Sequence, residues 1–162
     1  MTGVVLGLHV NPNGGVPKHH VDTLTVHQEG CVGDKQNDRK HHGGPLKAVS
    51  ILEQHVLEHL QSEGHPISPG STGENVLLGG TGAGEIRIGS QLEFGEVRLC
   101  ITSDAPPCKT IQASFQKGNF NHLSHRKIPG RTRWYARVLR EGTITVGDEV
   151  LILNEDGPIG NQ

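Results

Sequence analysis

Aromatic side chains are scarce: three Phe, one Trp and one Tyr among 162 residues. A core with so few rings must be aliphatic and rich in β-branched side chains. Leu, Ile, Val and Phe still make up about a quarter of the chain, above the roughly one-fifth below which chains tend to stay disordered. Cysteine is nearly as rare. Cys31, Cys100 and Cys108 form an odd, widely spaced set without a CxxC pair, which argues against a disulfide framework and for a reducing cytosol. No apolar run approaches the roughly 18 residues needed to cross a bilayer, and Met1–Val10 lacks the basic start of a signal peptide, so a cytoplasmic protein without a membrane span is expected. Excess charge is lacking too. Fifteen Lys and Arg face 17 Asp and Glu, for a net charge of -2 and a pI of about 6.6, so no global field favours nucleic acid or an anionic membrane.

What is abundant is glycine: 23 Gly with 9 Pro, about a fifth of the residues, which argues against a helical bundle or a coiled coil. The length predicts one domain, placed at residues 3–153, followed by a polar tail at 154–162. Short β-type runs recur at Val4–Val10, Leu24–His27, Leu46–Ile51, Asn75–Leu78, Glu85–Ile88, Gln91–Phe94, Val97–Thr102, Trp134–Leu139 and Glu149–Leu153. In Val97–Thr102, alternation sets Val97, Leu99 and Ile101 on one face and Arg98, Cys100 and Thr102 on the other. The period turns helical only over Leu52–Ser62, where Leu52, Val56, Leu57 and Leu60 share a stripe that Gly64 and Pro66 end. Cys108–Phe115 is a candidate short helix. Many short strands with one sizeable helix predict a β-rich fold, a closed or nearly closed barrel with one main helix and short helical insertions. A weak echo between residues 88–92 and 146–150 reads as two Gly turns that each launch a strand.

Four features bear on chemistry. His55-Val56-Leu57-Glu58-His59 matches the HxxEH zinc-protease signature, but catalytic zinc also needs a third protein ligand and an open position. Its plainer reading is a pair of half-exposed histidines at the edge of the helix stripe. A basic run (Arg126, Lys127, Arg131, Arg133, Arg137, Arg140) contains no acid and reads as a solvated face, a pocket for a small anion, or phosphate contacts. Strand alternation splits it across two faces, and stacking aromatics are nearly absent, which disfavours nucleic acid. Cys108 follows Pro106-Pro107, which cannot continue a ladder, and precedes Lys109 and an apparent helix start; both would favour a thiolate. Finally, polar small-residue turns recur at Gly33-Asp34, His42-Gly43-Gly44, Gly73-Glu74-Asn75 and Gly147-Asp148. Each is most simply a turn, yet Glu74-Asn75 places a carboxylate and an amide at a strand entrance, where loops carry sites.

Taken in order, GCVGD (30–34), HHGGPLKAVS (41–50), PGSTGENVL (69–77), IGSQLEFGEVRL (88–99), APPCKT (105–110) and RWYARVLREGTITVGDEVLIL (133–153) resemble a MOSC domain. That domain closes eukaryotic molybdenum-cofactor sulfurases and also occurs alone in small bacterial proteins. The resemblance implies a β-rich barrel and a pocket for the pterin-phosphate of the molybdenum cofactor (molybdopterin). It makes Cys108 the family's characteristic cysteine, either a persulfide carrier or a molybdenum ligand, and matches His42, Gly43, Gly73, Glu74, Asn75, Gly147 and Asp148 to recurring positions. Two positions depart from the pattern. Ser90 replaces the usual Asp of an IGD turn, which predicts a looser turn, and Arg133 stands where a small residue is usual.

The residues agree with that reading on their own terms. A soft thiolate suits a thiophilic metal or sulfane sulfur, and Lys47, Lys109, Arg131 and the Gly turns could hold a phosphate-bearing pterin. The function expected is cofactor binding with Cys108 as sulfur carrier or molybdenum ligand. The alternatives are a molybdenum-dependent reductase of N-hydroxylated compounds and a non-catalytic anion-binding module. Expected partners are a molybdopterin-type ligand and a redox partner or a separate pyridoxal-phosphate-dependent cysteine desulfurase, with no pyridoxal phosphate in this chain and neither nucleic acid nor membrane.

Overall fold

The structure is a computed structural model that describes residues 2–35 and 44–155. His42 and Gly43 of the HHGG motif, and the tail from residue 156, lie outside the described residues.

Eleven strands are formed among the described residues: β1 (Thr2–Val10), β2 (His19–Val21), β3 (Thr23–His27), β4 (Gly30–Cys31), β5 (Val49–Glu53), β6 (Val76–Gly79), β7 (Gln91–Phe94), β8 (Val97–Ala105), β9 (Arg133–Arg140), β10 (Gly142–Thr145) and β11 (Glu149–Leu153). Seven of them close a barrel in the order β11-β7-β8-β9-β5-β6-β1, sealed where Thr2, Gly3 and Val4 pair antiparallel with Leu151, Val150 and Glu149. Strand β1 serves two neighbours on that side, because its far half pairs with β2 at Leu8–Val10. Closure leaves the barrel strands without the open edges that invite aggregation. Gly3 is needed at the seal, since a Cβ there would lie 2.8 Å from the Gly79 carbonyl oxygen. A smaller sheet, β10-β3-β4, stands beside the barrel.

The expected stripe folds as helix α1 (Gln54–Ser62), with Val56, Leu57 and Leu60 buried and Leu52 held on the preceding strand. Helix α1 is the crossover between β5 and β6, which pair in parallel, as a parallel pair requires. Two apolar clusters result. One fills the barrel with aliphatic side chains plus Phe94 and Trp134. The other packs α1 against Leu52 and Leu77 on one side and Ile111, Phe115 and Leu123 on the other.

Several local expectations are corrected. Glu85–Ile88 is a loop, not a strand; Ile86 is buried in the core, but no ladder partner faces the segment. Leu46 lies in a short 3₁₀ turn (Pro45–Lys47), so β5 begins later, at Val49. Strand β8 runs past Thr102 to Ala105 because β9 pairs with it through Ser103, Asp104 and Ala105, and Pro106 then stops it. The turn at Ser90 is not loosened: Ser90 Oγ accepts the Arg87 N–H at 2.9 Å, as Asp148 Oδ2 accepts the Thr145 N–H at 2.8 Å in the echoing turn.

Candidate functional site

Strand β8 delivers Cys108 to the surface. A bulge between Ile101 and Ser103 re-aims the end of β8, a common device beside functional sites. Pro106-Pro107 then carries the chain to Cys108, whose extended backbone precedes a six-residue 3₁₀ turn (Lys109–Ser114). Ile111 and Phe115, buried against α1, anchor this segment. Cys108 itself is half-buried, and Lys109 is exposed. So short a 3₁₀ turn supplies little dipole, so the positive end of a helix is not what faces this thiol.

The charge comes instead from Arg133, the residue that departed from the family pattern. Its side chain is buried, and it grips two loops at once. Arg133 Nη1 donates to the Thr72 carbonyl at 2.8 Å, and Nη2 donates to those of Ala105 and Pro106 at 3.3 and 3.1 Å. Burial pulls the guanidinium down from its ordinary value, while Tyr135, Glu74 and Cys108 nearby pull it up. Its Nε is buried and unpartnered. Ser114 Oγ and Ser71 Oγ, 2.8 Å apart, tie the same two loops a second time.

Beneath the 70–75 loop, Glu74 and Asn75 are fully buried. Glu74 accepts the Gly70 N–H at 2.6 Å and the Thr72 hydroxyl at 2.7 Å. Asn75 Oδ1 accepts the Ser50 N–H at 3.0 Å, and its Nδ2 donates to the His9 carbonyl at 3.1 Å and to Asp34 Oδ2 at 2.8 Å. These two side chains shape the loop from within and face no solvent. Gly70 has a φ of +83°, and a Cβ there would lie 2.3 Å from the Lys18 carbonyl oxygen, so the loop sits directly on the chain at Lys18. Gly73, also at positive φ, closes the turn with its N–H on the Gly70 carbonyl.

Asp34 is the hub of this buried layer. Lys18 Nζ lies 2.6 Å from Asp34 Oδ2, and the Asn11 N–H bonds Oδ1 at 2.9 Å. The Gly33-Asp34 turn marked Asp34 in the sequence; nothing there marked Lys18. His9 is pushed down by burial, against the pull of Glu74, and its Nδ1 is buried without a partner. Cys31, sealed against the Ala48 carbonyl, is pushed up to about 12 by burial and by Asp34. Cys100 is half-buried on β8.

The cations named from sequence do not all converge. Lys47 lines a cavity of about 360 Å³ with Cys31, Asp34 and Lys35, and its Nζ lies 5.4 Å from the centre of the Tyr135 ring. Arg131 is held elsewhere: it pairs with Glu63 at 2.9 Å and lines a cavity that Cys108 does not line. The HxxEH histidines also lie apart from Cys108. His55 Nε2 is 3.1 Å from Glu53, and His59 Nε2 is 3.4 Å from Glu63. Among the described residues, Glu63, His65 and His122 are the only His, Cys, Asp or Glu set close enough to share an ion. His65 Nδ1 accepts the Gln116 N–H at 3.1 Å, which leaves the neutral ring's proton on Nε2 and is the reverse of a metal-ligating histidine. The basic run is divided, with Arg133 buried and Arg137 and Arg140 exposed. No helix among the described residues is long and apolar enough to cross a membrane.

The profile of the MOSC domain family matches residues 38–151. YflK of Bacillus subtilis (strain 168) is 28% identical over 132 residues, covering 81% of this chain and 59% of YflK. YiiM of Escherichia coli (strain K12) is 22% identical over 149 residues, covering 89% of this chain and 66% of YiiM. The chain thus spans about three-fifths to two-thirds of the length of these curated relatives. Among solved structures, the YuaD protein of Bacillus subtilis superposes with a TM-score of 0.76 at 22% identity, over 94% of this chain and 96% of that one. YiiM from Escherichia coli superposes with a TM-score of 0.72 at 18% identity, over 99% of this chain and 74% of that one. At these identities the superpositions establish the fold alone.

Proposed function

The chain belongs to the MOSC domain family, which is associated with molybdenum cofactor binding, and from that premise we propose that it binds a molybdopterin-type cofactor and uses Cys108 as sulfur carrier or molybdenum ligand. The observation that supports this most is a partly exposed thiol in the electrostatic neighbourhood of a buried guanidinium, which holds the carbonyls of Thr72 on one loop and of Ala105 and Pro106 on the approach to Cys108. The donor set fits the group. A thiolate is the soft ligand that a thiophilic metal or sulfane sulfur selects. An anionic phosphate needs fixed cations and N–H donors, and Arg133, Lys109, which follows Cys108 directly, and Lys47 on the neighbouring 3₁₀ turn are candidates. Glu74, Asn75 and Gly73 hold the loop that shapes the site. Arg131 is not assigned to this site.

Bound there, the cofactor would supply two-electron oxygen- or sulfur-transfer chemistry. The chain's own contribution is to hold the Cys108 sulfur in place and in reach of solvent. As carrier, the Cys108 thiolate attacks the outer sulfur of a persulfide on a separate cysteine desulfurase. The new S–S bond forms as the donor's S–S bond breaks, the donor thiolate leaves, and no net electrons are exchanged.

The test is metal, pterin and intact-mass analysis of protein made in a cofactor-competent host. Wild type, Cys31→Ala and Cys100→Ala should retain pterin or accept an adduct of about 32 Da, one sulfur atom; Cys108→Ala should do neither. Retention of both by Cys108→Ala would overturn the assignment and favour a plain anion-binding module. Turnover of an N-hydroxylated substrate with a supplied reductant selects the reductase form, and loading from a desulfurase selects the carrier.

A further inference from the structure

His65 is buried just past the end of helix α1, against the segment that continues from the turn after Cys108. Gly64, at a φ of +93°, lets the two come close: a Cβ there would lie 2.7 Å from Gln116 Nε2. The imidazole holds that segment through Nδ1, which accepts the Gln116 backbone N–H at 3.1 Å. Its ring meets Phe115 edge-on, with centres 5.5 Å apart, and His122 at 4.6 Å, tilted by 49°. One residue beyond the bond, Lys117 has a φ of +55°, a region uncommon for a residue with a Cβ. Such a conformation persists where its neighbours hold it, and the Gln116 bond is one of those holds.

The nitrogen that makes this hold is also the one that titrates. A neutral imidazole has one acceptor nitrogen, whereas both nitrogens of an imidazolium are donors. A proton on Nδ1 would set two donors face to face, so the charged ring and the Gln116 bond exclude each other. From α1 and its end, Glu63 faces the ring, with Oε1 4.0 Å from Nε2, and favours the charge. That carboxylate is already shared, with Arg131 at 2.9 Å and with His59 at 3.4 Å. From the overlying segment come His122 and Lys117, both opposed to a further positive charge. Burial first, and His122 next, hold His65 below its ordinary value, while Glu63 pulls it up. A cavity of about 290 Å³ beside the ring, lined by these groups with Gln116 and Asn119, gives water a way to the N–H once the bond parts.

We propose that His65 is a pH-sensitive pin: neutral, it fastens residues 116–122 to the end of helix α1, and protonated, it lets them loosen. The sign follows from the lowered value. The hold is complete above the ordinary 6.5 and is lost as pH falls through the lower value of the folded protein. Ile111 and Phe115 anchor the stretch between Cys108 and Gln116, so the pin fixes the far end of the segment that Cys108 begins. The proposal does not depend on the cofactor reading.

Hydrogen exchange at pH 7.5 and pH 5, with labelling times scaled to the intrinsic rates, tests this. Protection of residues 116–122 should fall about 10-fold on acidification, the scale of one lost hydrogen bond, while strands β5, β8 and β9 keep theirs. In the ¹⁵N spectrum of wild type, neutral His65 should be the Nε2–H tautomer, and the Gln116 amide should titrate with the same midpoint as the His65 ring. His65→Asn should show no step between the two pH values, whether or not its amide oxygen replaces the bond. His122→Gln should keep the step and move its midpoint to higher pH, because a charge that opposes His65 is gone. An Nδ1–H tautomer, a step that persists in His65→Asn, equal protection at both pH values, or a loss spread evenly over the barrel strands would each overturn the proposal.

Discussion

Cys31 and Cys108 both border the polar layer under the 70–75 loop, and their surroundings differ in kind. Cys31 is buried on β4 at the wall of the cavity that Lys47 lines, and the Asp34 carboxylate nearby opposes a second negative charge, so burial and repulsion together keep it a thiol. Cys108 is partly open to solvent, and its charged neighbour is the Arg133 guanidinium. One thiol is buried and held neutral, and the other is partly open to solvent. Neither residue's own identity explains the difference in access; the strand or loop that carries each one does.

The largest test of this contrast is alkylation. At pH 8 a thiol with a pKa near 12 is ionised at about one part in 10⁴. Native protein treated with iodoacetamide should therefore leave Cys31 unlabelled while the partly exposed Cys108 is modified, read by peptide mass spectrometry. Comparable rates would erase the distinction. Next in size is the buried pair behind Cys31. Asp34→Ala strands Lys18 and removes an acceptor from Asn75, and should cost about 3–5 kcal/mol in urea unfolding.

Arg133→Met probes the other side. It leaves the carbonyls of Thr72, Ala105 and Pro106 without this donor and should cost about 2–3 kcal/mol. Hydrogen exchange should rise in residues 70–75 and 105–108 together, with partial rescue by Arg133→Lys; a rise in only one loop would show that Arg133 does not couple them. The smallest effect is on the pH dependence of stability. Because folding raises the Cys31 pKa from 9.0 to about 12, the advantage of the neutral thiol is complete below pH 9 and is lost as pH rises toward 12. Relative to Cys31→Ala, wild type should lose about 2 kcal/mol between pH 8 and pH 11; parallel curves would show that the thiol is not sealed.

Elements with strong internal patterning were legible in the chain. The alternation of Val97, Leu99 and Ile101 and the stripe of Val56, Leu57 and Leu60 point inward as written. Strands β2, β4 and β10 were not, since two to four residues carry too little pattern and exist only through their partners. Ile86 shows the reverse error: an apolar residue in a β-like run that is buried without joining a ladder. At the site, Glu74 and Asn75 were legible as a place but not as a role. Their side chains turn inward to bind the backbone of neighbouring segments. Lys18 gave no sign, because a lone lysine after a proline carries no information about a carboxylate 16 residues away.

By itself, the order of residues determined an aliphatic, closed or nearly closed β-barrel with one main helix, and a family whose motifs return in sequence. Local spacing encodes such things: period, turn chemistry and the prolines that stop a strand at Ala105. Only the tertiary structure decided which charges meet. It took Arg131 away to Glu63 and brought Arg133, 25 residues along the chain, back to the loop of Cys108. Electrostatics acts through space, and distance in space between residues far apart in sequence is set by how the strands close.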